Sequence, residues 1–591
     1  MGSAEPWSVR LNCTAMTLMT FSPWSLLRCT GITSLLLLGG CTSIELAPWP
    51  APGRDAEMTR PARVDSKPIA APDANLKPLP TTGLARLAPL SSGAAARFPE
   101  PNRSYATPGL SPGRLTWTTQ SELAAWLREQ AGERQQTAPG QTAVLTIGRS
   151  QTGQALEALV LTLGMGTDAA SLKATKRPTV LLLAQQHGDA PASAEALLVI
   201  ARELAQGALR PLLSRINVLI LPRANPDGAA KAARLTDNGF DMAHDHLLLE
   251  TPEAQAIAKL TRDYQPMVVL EAQEYATTGP LADALGGLPT ADAWVSYATT
   301  ANLPEFLTKA AEEWFRQPLL SALNAEGLSS EWPHRSSKTK ADKTIAWGDL
   351  QADSNVNVNG LKNRISLTVA SRGADLERSH LQRRVHTQVT AIASVLRSTA
   401  ERSSELAQLK PYLDLEVSEL ACQKDRVIEA QATPTSHTLP VLDPGNGIVK
   451  TMALRTQSAR LLQTVRSRVS PCGYWLDANT TQAVERLRMH GVKVMQVRDA
   501  AALLGDFYQA REPSKSAPSV GATVTVDLLR GVVDAPAGSY YVPLDQALGN
   551  LVFAALEPDT PNSFFSQALI DELNAVARVM AQPSANLREA P

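Results

Sequence analysis

The chain reads as an α/β protein: a mixed sheet with a parallel core, sandwiched by helices, followed by a smaller mixed or mainly β region. Three observations predict this. Residues 179–184, 216–222 and 267–270 are short continuous apolar runs bounded by turn residues, as strands buried on both faces are. Stretches of helical spacing, 193–206 and 251–264, separate these runs, so the strands are joined by crossovers and lie parallel. Each run ends in polar residues: Gln185-Gln186-His187, Arg223-Ala224-Asn225 and Glu271-Ala272-Gln273. A parallel arrangement brings these ends to one edge. Ligands bind beyond the carboxyl ends of strands in such sheets, so that edge is the candidate site.

The length of 591 residues, with 44% apolar and 19% charged content, predicts two or three globular domains with a sizeable core. The net charge is −1, and Lys and Arg form no stripe, so no nucleic-acid partner is expected. Of five cysteines, Cys13, Cys29 and Cys41 lie near the start and Cys422 and Cys472 in the body, without a structural-zinc spacing. Residues 31–41 are a short apolar run ending in Leu38-Gly-Gly-Cys41, with Arg28 before it. Spanning a bilayer takes about 20 apolar residues. The run therefore reads as the apolar part of a signal peptide, residues 1–41. Leu-Gly-Gly-Cys resembles a bacterial lipobox, which would make Cys41 a lipidated membrane anchor. An ordinary signal peptide cleaved nearby is the alternative. Residues 42–114, rich in Pro, Ala and Ser, are expected to be a tether.

The first folded domain is expected over residues 115–402. Leu123, Trp126 and Leu127 share a helical face within 120–131. Residues 143–161 read as strand, tight turn at Gly153, strand. The helix at 193–206 turns Leu197, Ile200, Ala201 and Leu204 inward. Pro266 ends the helix at 251–264. A strand at 365–369 and a long helix at 380–397 close the domain. Residues 403–591 are expected to be an accessory domain packed on the first. Its helix 405–410 is stopped by Pro411, a helix follows at 482–488, and strands at 492–497 and 522–526. Cys422 and Cys472 are an even pair for an oxidising compartment and could form a disulfide.

Five segments then make a resemblance. Gly148-Arg-Ser-Gln-Thr-Gly153, the Gln186-His-Gly188 loop, Asn225-Pro-Asp-Gly228, Asn238-Gly-Phe-Asp-Met-Ala-His-Asp-His-Leu247 and Arg364-Ile-Ser-Leu-Thr-Val-Ala-Ser-Arg-Gly373 resemble, in order, the zinc metallocarboxypeptidase (carboxypeptidase A-like) family, bacterial branch. The resemblance implies a carboxypeptidase-like fold and a family reaction, zinc-dependent hydrolysis of C-terminal residues from peptides or peptidoglycan stems. Zinc in this chemistry is held by two His and one Glu, leaving a position for water.

Carried over residue by residue, His187 matches the first ligand. Ala190 stands at the Glu ligand and Gln273 at the second His. Ala370 stands at the general base, and Ala243-His244 at the Asn-Arg pair that grips a terminal carboxylate. Arg234 matches the oxyanion-stabilising Arg. Alanine has no lone pair with which to bind zinc or carry a proton, and a carboxamide is a poor ligand beside imidazole. Little or no bound zinc is therefore expected, and the chain reads as a degenerate member. Glu271 shares the face of Gln273 and could join His187 in a shifted ligand set. Glu195 is expected to face solvent or cap its helix, His244-Asp245-His246 to be structural, and His380 and His386 to lie on the surface.

The reading is an envelope lipoprotein, expected in the outer membrane, that binds peptide, wall fragment or protein without cutting. An active enzyme with shifted ligands and a structural spacer are the alternatives.

Overall fold

Apolar runs without alternation form the centre of the largest sheet because both of their faces are covered. In the computed structural model, strands are numbered β1–β20 along the chain. The large sheet contains β1 (Gln141–Arg149), β2 (Ala155–Thr162), β3 (Thr179–Ala184), β4 (Asn217–Leu221), β5 (Val268–Tyr275), β7 (Ala293–Tyr297), β8 (Ser330–Glu331) and β11 (Ile365–Arg372). Their order is β1-β2-β4-β3-β5-β11-β7-β8. The run β4-β3-β5-β11 is parallel. On one side β1 and β2 add antiparallel, and on the other β7 does.

The helix Pro191–Ala205 carries the chain from β3 to β4, and Pro252–Tyr264 from the β4 side to β5. These crossovers run in opposite directions across the sheet, so right-handed connections place the two helices on opposite faces. Leu181 and Leu183, with Leu219 and Leu221, pack against Leu260 and Ile257 of Pro252–Tyr264. Helix Pro191–Ala205 packs instead on the long helix Leu381–Glu401 and on Gln120–Gly132.

The described residues are 91–132, 141–336, 344–511 and 523–590. The expected signal peptide and Cys41 lie outside them. The described part belongs to one compact unit, residues 65–591. Among the described residues no helix is long and apolar enough to cross a membrane.

Two further sheets follow. The second joins β6 (Leu288–Pro289), β12 (Asp425–Leu442), β13 (Val449–Val469), β10 (Thr344–Trp347) and β9 (His334–Ser336), in that order. Its backbone is the β12–β13 hairpin, bent by bulges near Val427 and Ala432. The third holds β14 (Gly473–Leu476), β15 (Met495–Val497), β16 (Ala501–Ala510), β17 (Val526–Ala535), β18 (Tyr540–Pro543), β19 (Val576–Val579) and β20 (Leu587–Glu589). The C-terminal region is thus rich in sheet, with helices Thr481–His490 and Gly549–Leu556 against it. Its larger core, built on Tyr474, Phe553 and Phe564, takes in Leu247, Val358 and Leu361 from before residue 403. Cys422 and Cys472 are joined by a disulfide.

Several expectations need correction. The tether predicted to reach residue 114 is docked on the folded body from residue 91 onward. Ala94, Phe98 and Leu110 are buried, and the Tyr105 hydroxyl bonds His386 at 2.6 Å. That contact buries His386, and His380 bonds the Phe98 carbonyl, so neither histidine is a free surface group. The same segment covers Glu195, which is buried and accepts from the Thr107 and Thr118 hydroxyls at 2.5 Å each. Pro411 does not stop its helix but lies inside Ser403–Ser418. An interior proline costs about 3 kcal/mol. Leu406, Leu409, Leu413 and Val417, buried on both sides of it, each contribute about 1.5–3 kcal/mol and outweigh that cost. The strand expected at 492–497 is shorter, Met495–Val497; of the one expected at 522–526, residue 522 lies outside the described residues, and the observed strand is Val526–Ala535.

Candidate functional site

The polar ends of β3, β4, β5 and β11 lie at one edge, and the recurring sequence segments hold that edge together. Asn225 caps helix Pro226–Lys231, its side chain accepting from the Gly228 N–H at 2.8 Å. Asp227 accepts from the Ser150 hydroxyl at 2.8 Å and the Thr152 N–H at 3.0 Å, while Gln151 and Asn238 exchange bonds of 2.8 and 2.9 Å. The Asn225 side-chain amide donates to the Gln186 carbonyl at 3.1 Å, so four of the five quoted segments are bonded to one another. Gly188 follows His187 and passes so close to Gly228 that a Cβ would lie 2.1 Å from its carbonyl carbon. Only glycine fits that crossing, and the crossing fixes the turn carrying His187.

His187 is buried. Its Nε2 pairs with Asp241 at 2.8 Å, and its Nδ1 has no hydrogen-bond partner among the described residues. Asp241 also receives Arg234 at 3.2 Å. Burial alone would raise the Asp241 carboxyl, but His187, Arg234 and His244 hold it well below the usual range. Asp189, two residues from His187, is pushed up by burial against the lowering pull of His187 and Arg234. His244 pairs with Asp353 at 3.2 Å. Burial opposes its charge, yet Asp353, helped by Asp349 and Asp241, pushes its pKa up to about 9. His244 is therefore a cation at neutral pH, and its side chain is 26% exposed. The Arg234 side chain is 51% exposed.

Glu271 belongs to a separate set. Its carboxylate accepts from the side-chain amides of Gln186, Gln273 and Asn355, the last at 3.0 Å. Gln186 in turn accepts at 2.5 Å from His246, which burial, then Lys362 and His244, keeps neutral with a pKa of about 3. Glu271 thus bonds three carboxamides rather than His187. Ala370 lies directly beside Gln273 in the β11–β5 register, and Ala190 is buried at the start of helix Pro191–Ala205. Ala243 is buried next to His244. Glu274, the last carboxylate of β5, caps that helix through the Ala192 N–H at 2.8 Å and pairs with Arg384.

These residues do not make a zinc centre of two imidazoles and a carboxylate. His187 Nδ1 is the one nitrogen of that imidazole without a hydrogen-bond partner among the described residues; the Glu271 carboxylate is enclosed by amide donors; residues 190 and 370 offer no donor atom. Among the described residues, the single group of three His, Cys, Asp or Glu side chains close enough to share an ion lies elsewhere, at Glu331, His334 and His437. Reading the sequence brought His187, Arg234 and His244 forward but missed their partners Asp241, Asp189 and Asp353. Asp241 stood inside a quoted segment, and Asp189 lies two residues from His187; an acidic residue so near a candidate ligand was the available signal. Nothing local marked Asp353 or Asn355, which reach the site from a helix start far along the chain.

Residues 127–276 match the zinc carboxypeptidase family, Peptidase_M14. The chain is 23% identical over 395 residues to Carboxypeptidase 2 of Trichophyton equinum, covering 65% of this chain and 72% of that protein. It is 37% identical over 141 residues to Carboxypeptidase D of Homo sapiens, covering 20% of this chain and 10% of that protein. Solved structures that it resembles include a metallo-carboxypeptidase from Burkholderia cenocepacia, with TM-score 0.35, 18% identity and coverage of 47% of this chain and 68% of that one. Another is carboxypeptidase A from Helicoverpa armigera, with TM-score 0.36, 13% identity and coverage of 49% and 75%. The matched residues, 127–276, take in β3, β4 and β5 and four of the five quoted segments, so this part of the chain is similar to a zinc carboxypeptidase domain of the Peptidase_M14 family.

Proposed function

We propose that the chain is a non-hydrolysing zinc carboxypeptidase homologue that binds the free carboxylate end of a peptide or peptidoglycan stem, and that lipid on Cys41 anchors it to a bacterial envelope, facing the periplasm or cell surface from the outer membrane. The observation carrying this reading is the contrast at the strand ends. At the positions that resemble the family's ligands and base stand Ala190, Gln273 and Ala370, and Glu271 is enclosed by three carboxamides. Without a metal-activated water or a proton acceptor in place, a bound peptide has no route to hydrolysis. Zinc at this edge is absent or weakly held in this reading. Binding is another matter, because Arg234, paired with Asp241, and the protonated His244, paired with Asp353, remain partly open to water. Arginine and protonated histidine favour a carboxylate through charge-assisted hydrogen bonds.

Titration calorimetry with a short peptide, free or amidated at its C-terminus, tests the reading. Binding of the free acid, at least about tenfold weaker for the amide and for Arg234→Ala, is the expected result, a difference of about 1.4 kcal/mol. Hydrolysis of the same peptide by zinc-equilibrated protein, abolished in His187→Ala, overturns it. Loss of labelled palmitate from Cys41→Ser tests the anchor separately.

A further inference from the structure

Glu331, His334 and His437 are the group of three whose donor atoms all lie within 4.8 Å of one another. They converge from β8, β9 and β12. The link between the first two is fixed. Trp332 is buried, with the guanidinium groups of Arg316 and Arg460 at 4.7 and 5.0 Å from its ring centroid. The Pro333 carbonyl accepts the Gly348 N–H at 3.2 Å. His437 comes from the facing hairpin strand, its ring 4.2 Å from that of Trp347. Its Nε2 is buried, has no hydrogen-bond partner among the described residues and lies 3.5 Å from the Glu331 carboxylate. A buried imidazole nitrogen that makes no hydrogen bond and faces a carboxylate only at ion-pair distance calls for an explanation, and an ion not present in the structure is one. His334 is buried, and its Nε2 accepts the Trp347 indole N–H at 2.7 Å. That bond shows a neutral imidazole with a lone pair turned toward the cluster's aromatic neighbour.

We propose that Glu331, His334 and His437 form a binding site for a divalent transition-metal ion of the zinc class. Two imidazoles and a carboxylate suit zinc, cobalt, nickel or copper better than magnesium or calcium. Ligand bonds of about 2.0–2.2 Å require the three side chains to close in from their present spacing. The Trp347 N–H must leave His334, one neutral hydrogen bond exchanged for a coordinate bond. The side chains of Glu331 and His437 are 24% and 25% exposed, so a fourth position faces water. The ion would clip β8, an edge of the α/β sheet, to β9 and β12 of the second sheet. The site is separate from the His187 edge and does not depend on the peptide-binding reading.

The test uses the untagged full chain, stripped with a chelator and titrated with cobalt(II). One ion per chain, with the visible absorption of a low-symmetry cobalt centre, is expected. Glu331→Gln, close in shape, and His437→Ala should each weaken binding about tenfold or more. Circular dichroism confirms that both variants remain folded, and His187→Ala should bind as the parent does. Failure of the parent to bind cobalt overturns the proposal. So does binding that persists in both Glu331→Gln and His437→Ala, or that is lost in His187→Ala.

Discussion

Glu271 and Glu331 are both strand carboxylates with histidines near them, yet their donors are differently engaged. Glu271 is 2% exposed and accepts from Gln186, Gln273 and Asn355, so its lone pairs are occupied by neutral amides. Glu331 faces His437 at 3.5 Å, and the His437 nitrogen has no hydrogen bond. Burial raises the Glu331 carboxyl, while His437 pulls it down. The first carboxylate is a structural hub; the second is underused. A carboxylate at a family-like position is therefore no evidence for a metal until its hydrogen bonds are known, because satisfied lone pairs are not offered to an ion.

The largest effect that this comparison predicts is at Glu271. Glu271→Ala leaves three carboxamides, the buried Gln186 and Asn355 and the half-buried Gln273, without their acceptor and opens a cavity, and should lower stability by about 3–5 kcal/mol. Urea denaturation with and without zinc measures it. If Glu271 were instead a ligand in a shifted metal set, the loss would appear chiefly in the zinc-loaded protein. An equal loss in both samples sharpens the contrast with Glu331.

That contrast also shows what a sequence can carry. The parallel core was legible because apolar runs, helical spacing and polar strand ends repeat over short windows, and β3, β4, β5 and β11 form where those signals lie. His187 and His244 were legible because they stand in segments that resemble a family, and Arg234 because it lies between two of those segments. The partner of Glu271 on the helix starting at Asn355 was not, since its amide arrives from 84 positions away and an asparagine carries no local mark of its contact. The β12–β13 hairpin was missed because its strands face solvent along much of their length and lack a sustained apolar period. His437 was invisible for the same reason. Its two partners, Glu331 and His334, are three residues apart, and the third lies on that hairpin.

A second, smaller effect concerns charge at the first site. His244 has a folded pKa of about 9 against an ordinary value near 6.5, held up by Asp353, Asp349 and Asp241 against burial. A raised histidine contributes stability fully below its unfolded pKa, and that contribution disappears as pH rises through its folded pKa. Between pH 6.5 and 9.5 the protein should therefore lose on the order of 2 kcal/mol relative to His244→Gln, whose stability is flatter over that window. Denaturant midpoints across the range measure the difference. Parallel curves for the two proteins would mean that the His244–Asp353 pair is screened by water and does not fix the cation on which carboxylate binding depends. The affinity for a free-acid peptide should fall over the same window.

The smallest effect is expected at Glu331. With metal removed, its carboxylate faces His437 at 3.5 Å, also interacts with the Trp332 backbone and with Arg316, and is about a quarter exposed, so an amide in its place loses little. Glu331→Gln should change stability in chelator by less than about 1 kcal/mol, the range of a partly exposed ion pair. Denaturation in chelator is the decisive condition, because only there is the carboxylate judged without an ion. A loss of about 3 kcal/mol or more would place Glu331 in the same class as Glu271, a carboxylate that the fold needs for its own hydrogen bonds. A small loss in chelator that becomes large once cobalt is present separates the two sites in the way their geometry does: the fold itself satisfies Glu271, whereas Glu331 gains its full set of partners only when an ion arrives.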